Sequence, residues 1–273
     1  MSSELTVSTG SPQGCCLSPK LFTLYTHDLL SSHDNTIIIK YADDTTILGL
    51  IKEGDESGYR SVVNYIIDYG ETNDLILNTD KTREIIVDFR KHPPPLQPLH
   101  IKGTEVVRAE SHKFLGMQVT SNLSWSLNTT SIVKKAQQRL YFIRMLRKAG
   151  LNYRPLTQAY RGLVESILTT GITVWYGNIT QAERKSLQRI IKTAERIIGT
   201  ALPSMDSIYV QRSHRRAERI IKDPLHPANS LLKHKNCTYK LRHSRADSIP
   251  TRKARFFNSF FPATVRLMAK KNI

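Results

Sequence analysis

Up to about Trp125 the apolar residues come in short β-branched runs parted by breakers, and beyond it they recur every three or four residues. A chain that changes period once folds in two parts, strands with helices first and helices alone afterwards, which makes it α+β. Charge changes at nearly the same point. Residues 1–130 carry 11 Lys/Arg against 16 Asp/Glu, whereas residues 131–273 carry 29 against 7, so the excess behind the net charge of +17 is entirely C-terminal. A positive field of that size concentrates polyanions, and nucleic acid is the partner it fits. Arg outnumbers Lys by 17 to 12 in this part, and Tyr141, Phe142, Tyr153, Tyr160, Trp175 and Tyr176 are interleaved with the cations. Lys134, Lys135, Arg139, Arg144, Arg147 and Lys148 are the expected nucleic-acid contacts; the competing reading is a solvated basic surface.

The breakers and periods place the elements. Gly10-Ser11-Pro12-Gln13-Gly14 is a loop entering a helix capped by Ser18 with Pro19 behind it, whose apolar face is Leu21, Leu24, Tyr25 and Leu29. Ile37 to Ala42 and Thr45 to Leu48 flank Asp43-Asp44 as a hairpin. Val62, Val63, Ile66 and Ile67 have helical spacing, Arg83 to Phe89 reads as a strand, and Pro93-Pro94-Pro95 is a stiff connector. A second hairpin turns at Lys102-Gly103, and Lys113 to Met117 reads as a short strand. Four helices follow: Ile132 to Leu146 stopped by Gly150; Pro155 to about Trp175; one opened by the capping box Thr180-Gln181-Ala182-Glu183 and closed by Gly199; and Met205 to Lys222 halted by Pro224. Phe256, Phe257, Phe260 and Phe261 are docking anchors on a basic, partly disordered tail.

Several classes fall away. No run of about 18 unbroken apolar residues exists to span a bilayer, so no membrane partner is expected. The opening MSSELTVSTGSPQG has neither a basic nor an apolar signal region. Three cysteines, two of them adjacent at Cys15 and Cys16 and the third far off at Cys237, build neither a disulfide framework nor a zinc knuckle, and they point to a reducing, intracellular compartment, nucleus or cytoplasm.

Adjacent carboxylates at a hairpin tip repel and raise each other's pKa unless a cation sits between them. Mg²⁺ meets that need, because it takes hard oxygen ligands, keeps several waters, and accepts one or two carboxylates plus substrate phosphates. Alone, an Asp-Asp pair in a loop is more often a solvated turn. Here it follows an apolar strand and an alanine, with the Gly-rich loop upstream.

Gly10-Ser11-Pro12-Gln13-Gly14-Cys15-Cys16-Leu17-Ser18-Pro19, then Leu21-Phe22, then Tyr41-Ala42-Asp43-Asp44, resembles the template-grip and catalytic-hairpin motifs of reverse transcriptases, most closely those of non-LTR (LINE-type) retrotransposons. Leu77-Asn78-x-x-Lys81-Thr82 is similar to the next palm motif, and Phe114-Leu115-Gly116 to the primer grip. The resemblance implies a truncated polymerase palm over 1–122, a helical thumb-like region over 123–224 and the basic tail over 225–273. It implies Asp43 and Asp44 as catalytic metal ligands for Mg²⁺ and Lys81 as a cation or general acid near the leaving pyrophosphate, with a plain surface lysine as the alternative. Ser11, Pro12, Gln13, Gly14 and Tyr41 become template or nucleotide contacts, Tyr41 sharing a strand face with Asp43. Phe114, Leu115 and Gly116 become primer contacts, Phe114 and Leu115 serving equally well as core. Where the family has Trp-Cys, this chain has Tyr69-Gly70, a departure expected to cost packing rather than chemistry.

The family's third catalytic carboxylate precedes the template-grip loop, and only Glu4 is acidic ahead of Gly10. The expectation is a remnant of an RNA-directed DNA polymerase, inactive unless joined to an N-terminal half bearing fingers and the first Asp, with RNA template and DNA primer as partners and its oligomeric state open. One alternative is a non-catalytic basic helical module that only binds nucleic acid. Another comes from the helix over Ile132–Gly150 and its successor, which resemble a segment at the N-terminus of an AlkB-homologue family of tRNA-modifying oxygenase-methyltransferases. None of the nine histidines has the His-x-Asp/Glu spacing of a 2-oxoglutarate oxygenase iron site, and no Gly-rich turn for a methyl donor is present.

Overall fold

The computed structural model describes residues 14–31, 33–232 and 253–271, the last three without side-chain surroundings. Ser11, Pro12, Gln13 and Cys237 therefore lie outside the described residues. Mixed helices and small sheets bear out the α+β class. Two compact units divide the chain, Met1–Ala109 and Glu110–Ile273. No described helix is long and apolar enough to cross a membrane.

In the first unit α1 (Ser18–Tyr25) starts one residue earlier than the Ser18 cap implies, with Leu17 at the cap position and no side-chain cap. Its expected core face stays out: Leu21, Leu24 and Tyr25 are 46%, 66% and 50% exposed, and only Leu29 beyond the helix is buried. Strands β1 (Thr36–Tyr41) and β2 (Asp44–Gly49) pair antiparallel. Their alternation sends Ile38 and Ile47 inward onto Leu29 and onto Val62, Ile66 and Tyr69 of α2 (Ser57–Thr72). A second layer of Leu99, Ile101 and Val106 packs against Val63 of the same helix. Two glycines are fixed by close approach, since a Cβ on Gly49 would lie 2.8 Å from the Tyr59 ring and one on Gly70 2.9 Å from the Leu75 carbonyl oxygen. The Tyr69-Gly70 pair keeps the packing: Tyr69 is buried and its hydroxyl donates to the Asp28 carboxylate at 2.7 Å.

The long strand expected over Arg83–Phe89 shrinks to β3 (Arg83–Glu84). It pairs parallel with β6 (Val107–Arg108), and residues 85–89 join no ladder. The hairpin of β4 (His100–Ile101) and β5 (Thr104–Glu105) turns at Lys102-Gly103 as expected, with φ of 50° and 77°. Buried Glu84 accepts from Arg108 Nε at 2.7 Å, and Arg108 and Arg60 donate to the carbonyls of Leu96, Gln97 and Pro98. The proline-rich connector is held by guanidinium groups in place of a strand ladder.

The second unit opens with the hairpin β7 (Ser111–Phe114) and β8 (Met117–Thr120), which corrects the single strand read over Lys113–Met117. Leu115 and Gly116 take φ of 45° and 84°, the left-handed pair of a type I′ turn. Met117 packs on the helical core, and its amide neighbour Gln118 donates to Asn128 Oδ1 at 3.1 Å. The compact boundary consequently falls at 109/110, ahead of the change of sequence pattern near 122.

Helix α3 (Ser126–Lys148) lies beside α7 (Gln181–Ile198) around a core containing Ala136, Leu140, Leu156, Trp175, Leu187 and Ile191. The single helix expected from Pro155 to Trp175 is instead four pieces: α4 (Tyr153–Tyr160), a π-turn at Arg161–Glu165, α5 (Ser166–Thr169) and α6 (Ile172–Trp175). Gly171 breaks it at φ 60°, and a Cβ there would lie 2.3 Å from Met117 Sδ. The break frees the Thr170 carbonyl, which accepts the buried Trp175 indole N–H at 2.8 Å.

The capping box and the Gly199 stop of α7 appear as read, as do both ends of α8 (Met205–Lys222). Asn229, opening α9 (Asn229–Leu232), donates to the carbonyls of Ile220, Ile221 and Asp223 and so caps α8. The expected tail is helical where it is described, in α10 (Ala254–Phe257) and α11 (Phe260–Lys271). Phe260 docks on Ala217, Ile220 and Leu232, while Phe256 and Phe257 remain 48% and 43% exposed.

Candidate functional site

Six ladder pairs run from Thr36 opposite Gly49 to Tyr41 opposite Asp44, which leaves Ala42-Asp43 as a two-residue turn. Ala42 takes φ 52°, a left-handed conformation that costs an L-residue about 1–2 kcal/mol. Asp43 sits at the tip and Asp44 begins β2, both exposed. Tyr41 shares its face with Asp44, not with Asp43, because the strand ends at Tyr41 and the period-two alternation stops at the turn. The same outer face carries Ile37, Ile39 and Leu48, 59%, 43% and 51% exposed. Behind it, Lys40 donates its ammonium to the Thr26 carbonyl and ties the hairpin to the chain after α1.

Two hard-oxygen carboxylates on a rigid exposed turn are a donor set that Mg²⁺ accepts alongside substrate phosphates. Among the described residues no further His, Cys, Asp or Glu gathers with them into a group of three. Lys81 is exposed in a turn built by Asn78, whose side-chain oxygen accepts the Lys81 N–H at 3.1 Å while its carbonyl accepts from Thr82. Gly14 is exposed at φ 80°, just ahead of α1. Phe114 is half-buried, Leu115 is 39% exposed at the type I′ turn, and Gly116 is exposed, so Leu115 is a presented side chain and not a core one. This turn belongs to the second compact unit and the Asp43-Asp44 turn to the first.

Beside these motifs, Asp28 is held below the usual carboxylate range by the Tyr69 hydroxyl that donates to it. Tyr69 is pushed up to about 12, by burial first and by its hydrogen bond to Asp28 second.

On α3 the buried positions Asn128, Thr129, Ile132, Ala136, Leu140 and Ile143 form one stripe; Lys134, Lys135, Arg139, Arg144, Arg147 and Lys148 are all exposed, Arg139 at the edge of the stripe and Arg147 in line with it beyond its last buried residue. Arg147 turns its guanidinium toward the Leu151 carbonyl at 3.4 Å, helping to close the helix end. Arg144 faces α7 across a groove of 420 Å³ that Gln137, Ser186, Arg189 and Thr193 also line. Sequence reading missed a second row of cations, of which Arg189 lines this groove. Lys185, Arg189, Lys192 and Arg196 stand at i, i+4, i+7 and i+11 of α7, all exposed and in no ion pair among the described residues. That spacing is a straight stripe about 16 Å long, and it was legible in the sequence once the helix was assigned. Arg184, by contrast, is structural: it pairs with Asp206 at 3.0 Å and lies over the Tyr176 ring.

Residues 2–119 match the reverse transcriptase (RNA-dependent DNA polymerase) family, and residues 125–166 match the family described as alkylated DNA repair protein alkB homolog 8, N-terminal. Three relatives come from Drosophila melanogaster. A probable RNA-directed DNA polymerase from transposon X-element is 21% identical over 72% of this chain and 22% of its own. The corresponding protein from transposon BS is 22% identical over 71% of this chain and 23% of its own. The RNA-directed DNA polymerase from mobile element jockey is 23% identical over 71% of this chain and 22% of its own. The matched stretch is thus less than a quarter of each relative's length. No solved structure matches. The family match spans Gly10–Pro19 and Tyr41–Asp44, the residues on which the resemblance was read, and with these relatives it makes the chain similar to RNA-directed DNA polymerases of non-LTR retrotransposons. The second match covers α3, α4, the whole π-turn and the first residue of α5, a helical segment without oxygenase ligands.

Proposed function

We propose that the chain is the C-terminal part of the polymerase module of a non-LTR retrotransposon reverse transcriptase, taking an RNA template and a DNA primer. In this reading residues 1–122 supply palm from the template-grip loop to the primer grip, 123–224 a thumb-like nucleic-acid-binding region, and 225–273 a basic extension. The observation that carries it is the two-residue turn of Asp43 between β1 and Asp44 of β2, with a hydrophobic strand on either side. Asp43 and Asp44 are the residues that would hold Mg²⁺, which when bound neutralises charge on the attacking and leaving oxygens of nucleotidyl transfer.

The chain's own residues do the positioning. The β1–β2 ladder, fastened to α2 through Ile38 and Ile47, keeps the two carboxylates from moving when substrate arrives. Tyr41, beside Asp44, offers a ring for the primer end. Lys81 offers a proton or a positive charge to the leaving pyrophosphate, and Gly14 admits the template backbone without a Cβ in the way.

The test is a chimera in which a fingers-and-palm half from a related element, carrying its own Asp, precedes this chain. Template-dependent incorporation is expected, abolished by Asp43→Ala, strongly reduced by Asp44→Ala, and slowed less by Lys81→Ala. Thr45→Ala is the control, since Thr45 is exposed and lies opposite Lys40 on the other face from Tyr41 and Asp44. Full rate in the Asp43→Ala chimera refutes the metal-site reading. The second reading, a purely nucleic-acid-binding module, draws on the α3 and α7 cations and would then stand alone.

A further inference from the structure

The cations of α3 explain attraction to any polyanion, yet the outermost strip of the helix is not simply basic. Opposite the buried stripe run Leu127, Lys134, Gln138, Tyr141, Met145 and Lys148, spaced by 7, 4, 3, 4 and 3 residues so that they share one line. Leu127, Tyr141 and Met145 are 46%, 57% and 46% exposed, and Phe142 on the flank is 46% exposed. Four large apolar side chains on one helix face, left in water, call for a partner with apolar surface.

The chemistry of the strip narrows that partner. Helix α3 has no Asp or Glu among its 23 residues, and none of Lys134, Lys135, Arg139 or Lys148 has an ion-pair partner among the described residues. Such a face repels a second copy of itself and attracts a polyanion. Tyr141 and Phe142 meet edge to face, with centroids 5.8 Å apart, so each presents a ring face or edge to solvent. Arg139 lies 5.8 Å from the Phe142 centroid. Past the helix end, Arg154 lies in the same way beside exposed Tyr153. A partner carrying both negative charge and flat apolar faces satisfies the rings and the cations together, and unpaired nucleobases on a phosphodiester backbone are that partner. A duplex hides its base faces in the stack and offers only backbone and base edges, with no face on which such rings can stack.

We propose that the outer face of α3 is a single-strand nucleic-acid platform, on which bases stack against Tyr141 and Phe142 while phosphates lie along Lys134 and Lys148. The proposal rests on the nucleic-acid reading of the helical unit and deepens it by naming the form of nucleic acid. It assigns α3 and α7 different work: the α7 stripe of Lys185, Arg189, Lys192 and Arg196 has no aromatic residue among its 18 positions and provides charge without stacking.

The experiment measures binding of the full chain to fluorescent 20-nucleotide single strands, DNA and RNA, and to the matching duplex, in EDTA so that the Asp43-Asp44 turn takes no part. Single strands should bind more tightly than duplex. Tyr141→Ala and Phe142→Ala should each weaken single-strand binding by about fivefold to a hundredfold, with duplex binding and the salt slope unchanged. Tyr141→Phe should keep wild-type affinity. Lys134→Ala with Lys148→Ala should lower the salt slope by about 1.4 for single strands, as the loss of two phosphate contacts requires. Both rings are exposed, so Trp125 and Trp175 fluorescence serves as the check that each variant is folded. Salt-dependent binding that ignores the ring substitutions overturns the platform and leaves the basic-module reading standing. No binding to any nucleic acid removes both. Competition by poly-glutamate of matched charge that is equally effective before and after ring removal also overturns it, as does a dimer that the ring substitutions dissociate.

Discussion

Replacing Gly171 by alanine isolates the contact that joins the β7–β8 hairpin to the helical core. The substitution has two separable costs. At φ 60° an L-residue pays about 1–2 kcal/mol for the left-handed conformation. The new Cβ then lies 2.3 Å from Met117 Sδ, inside contact distance, and the Met117 Cγ and Cε both lie at 3.4 Å. Displacing a packed side chain by that much belongs to the overpacking range of about 1–3 kcal/mol, so Gly171→Ala should destabilise the unit by about 2–5 kcal/mol. Gly150→Ala supplies the reference, because Gly150 is left-handed at φ 86° with nothing within 4 Å of its Cβ position. It should show the conformational cost alone. The chain's two tryptophans, Trp125 and Trp175, both lie in the second unit, so denaturant unfolding followed by tryptophan fluorescence reads this unit without interference from the first. Met117→Ala removes the clashing atoms, and in the double variant Gly171→Ala should cost no more than Gly150→Ala does. Equal destabilisation by the two glycine substitutions, or no relief from Met117→Ala, would refute the claim that Gly171 is selected by the approach of the hairpin.

Two further outcomes follow from hydrogen bonds. Tyr69→Phe should return the Asp28 carboxyl to its ordinary titration range in a carboxyl-carbon NMR experiment, since the Tyr69 hydroxyl is the first cause of its lowered pKa. The depressed Asp28 contributes stability above the unfolded carboxylate range that is lost as pH falls through its folded value. Raised Tyr69 contributes stability below about 10 that is lost as pH climbs through about 12, and amide exchange of α2 should lose both dependences in the phenylalanine variant. Thr180→Ala removes the side chain that accepts the Glu183 N–H, and should cost about 1 kcal/mol in the tryptophan-monitored transition while Thr180→Ser costs a few tenths at most; an unchanged midpoint would mean that packing alone defines this helix start.

Sequence alone determined the features whose causes are local. The capping box at Thr180, the Gly199 stop, the ends of α8 and the Lys102-Gly103 turn appear as read because a handful of neighbouring residues sets each backbone conformation. The hairpin carrying Asp43 and Asp44 was legible for the same reason, and with it the similarity to reverse transcriptases, whereas the pairing of Tyr41 with Asp44 puts its two-residue turn at Ala42-Asp43, one residue earlier than read. The C-terminal positive charge is a count and needs no fold. Tertiary structure decided whatever depends on residues far apart in the chain. Helical periodicity runs unbroken from Pro155 to Trp175, and only the approach of Met117, some fifty residues earlier, makes Gly171 break it. The Phe114-Leu115-Gly116 turn reads as strand until β7 and β8 pair around it, and its place in the helical unit follows from Met117 and Asn128. Tyr41 joins Asp44, not Asp43, because cross-strand register overrides spacing along one strand. Which apolar residues stay in water is decided last of all. Leu21 and Leu24 on α1, and Tyr141 and Met145 on α3, have core composition, yet each sits on a face that the packed elements leave uncovered, and composition carries no information about that face.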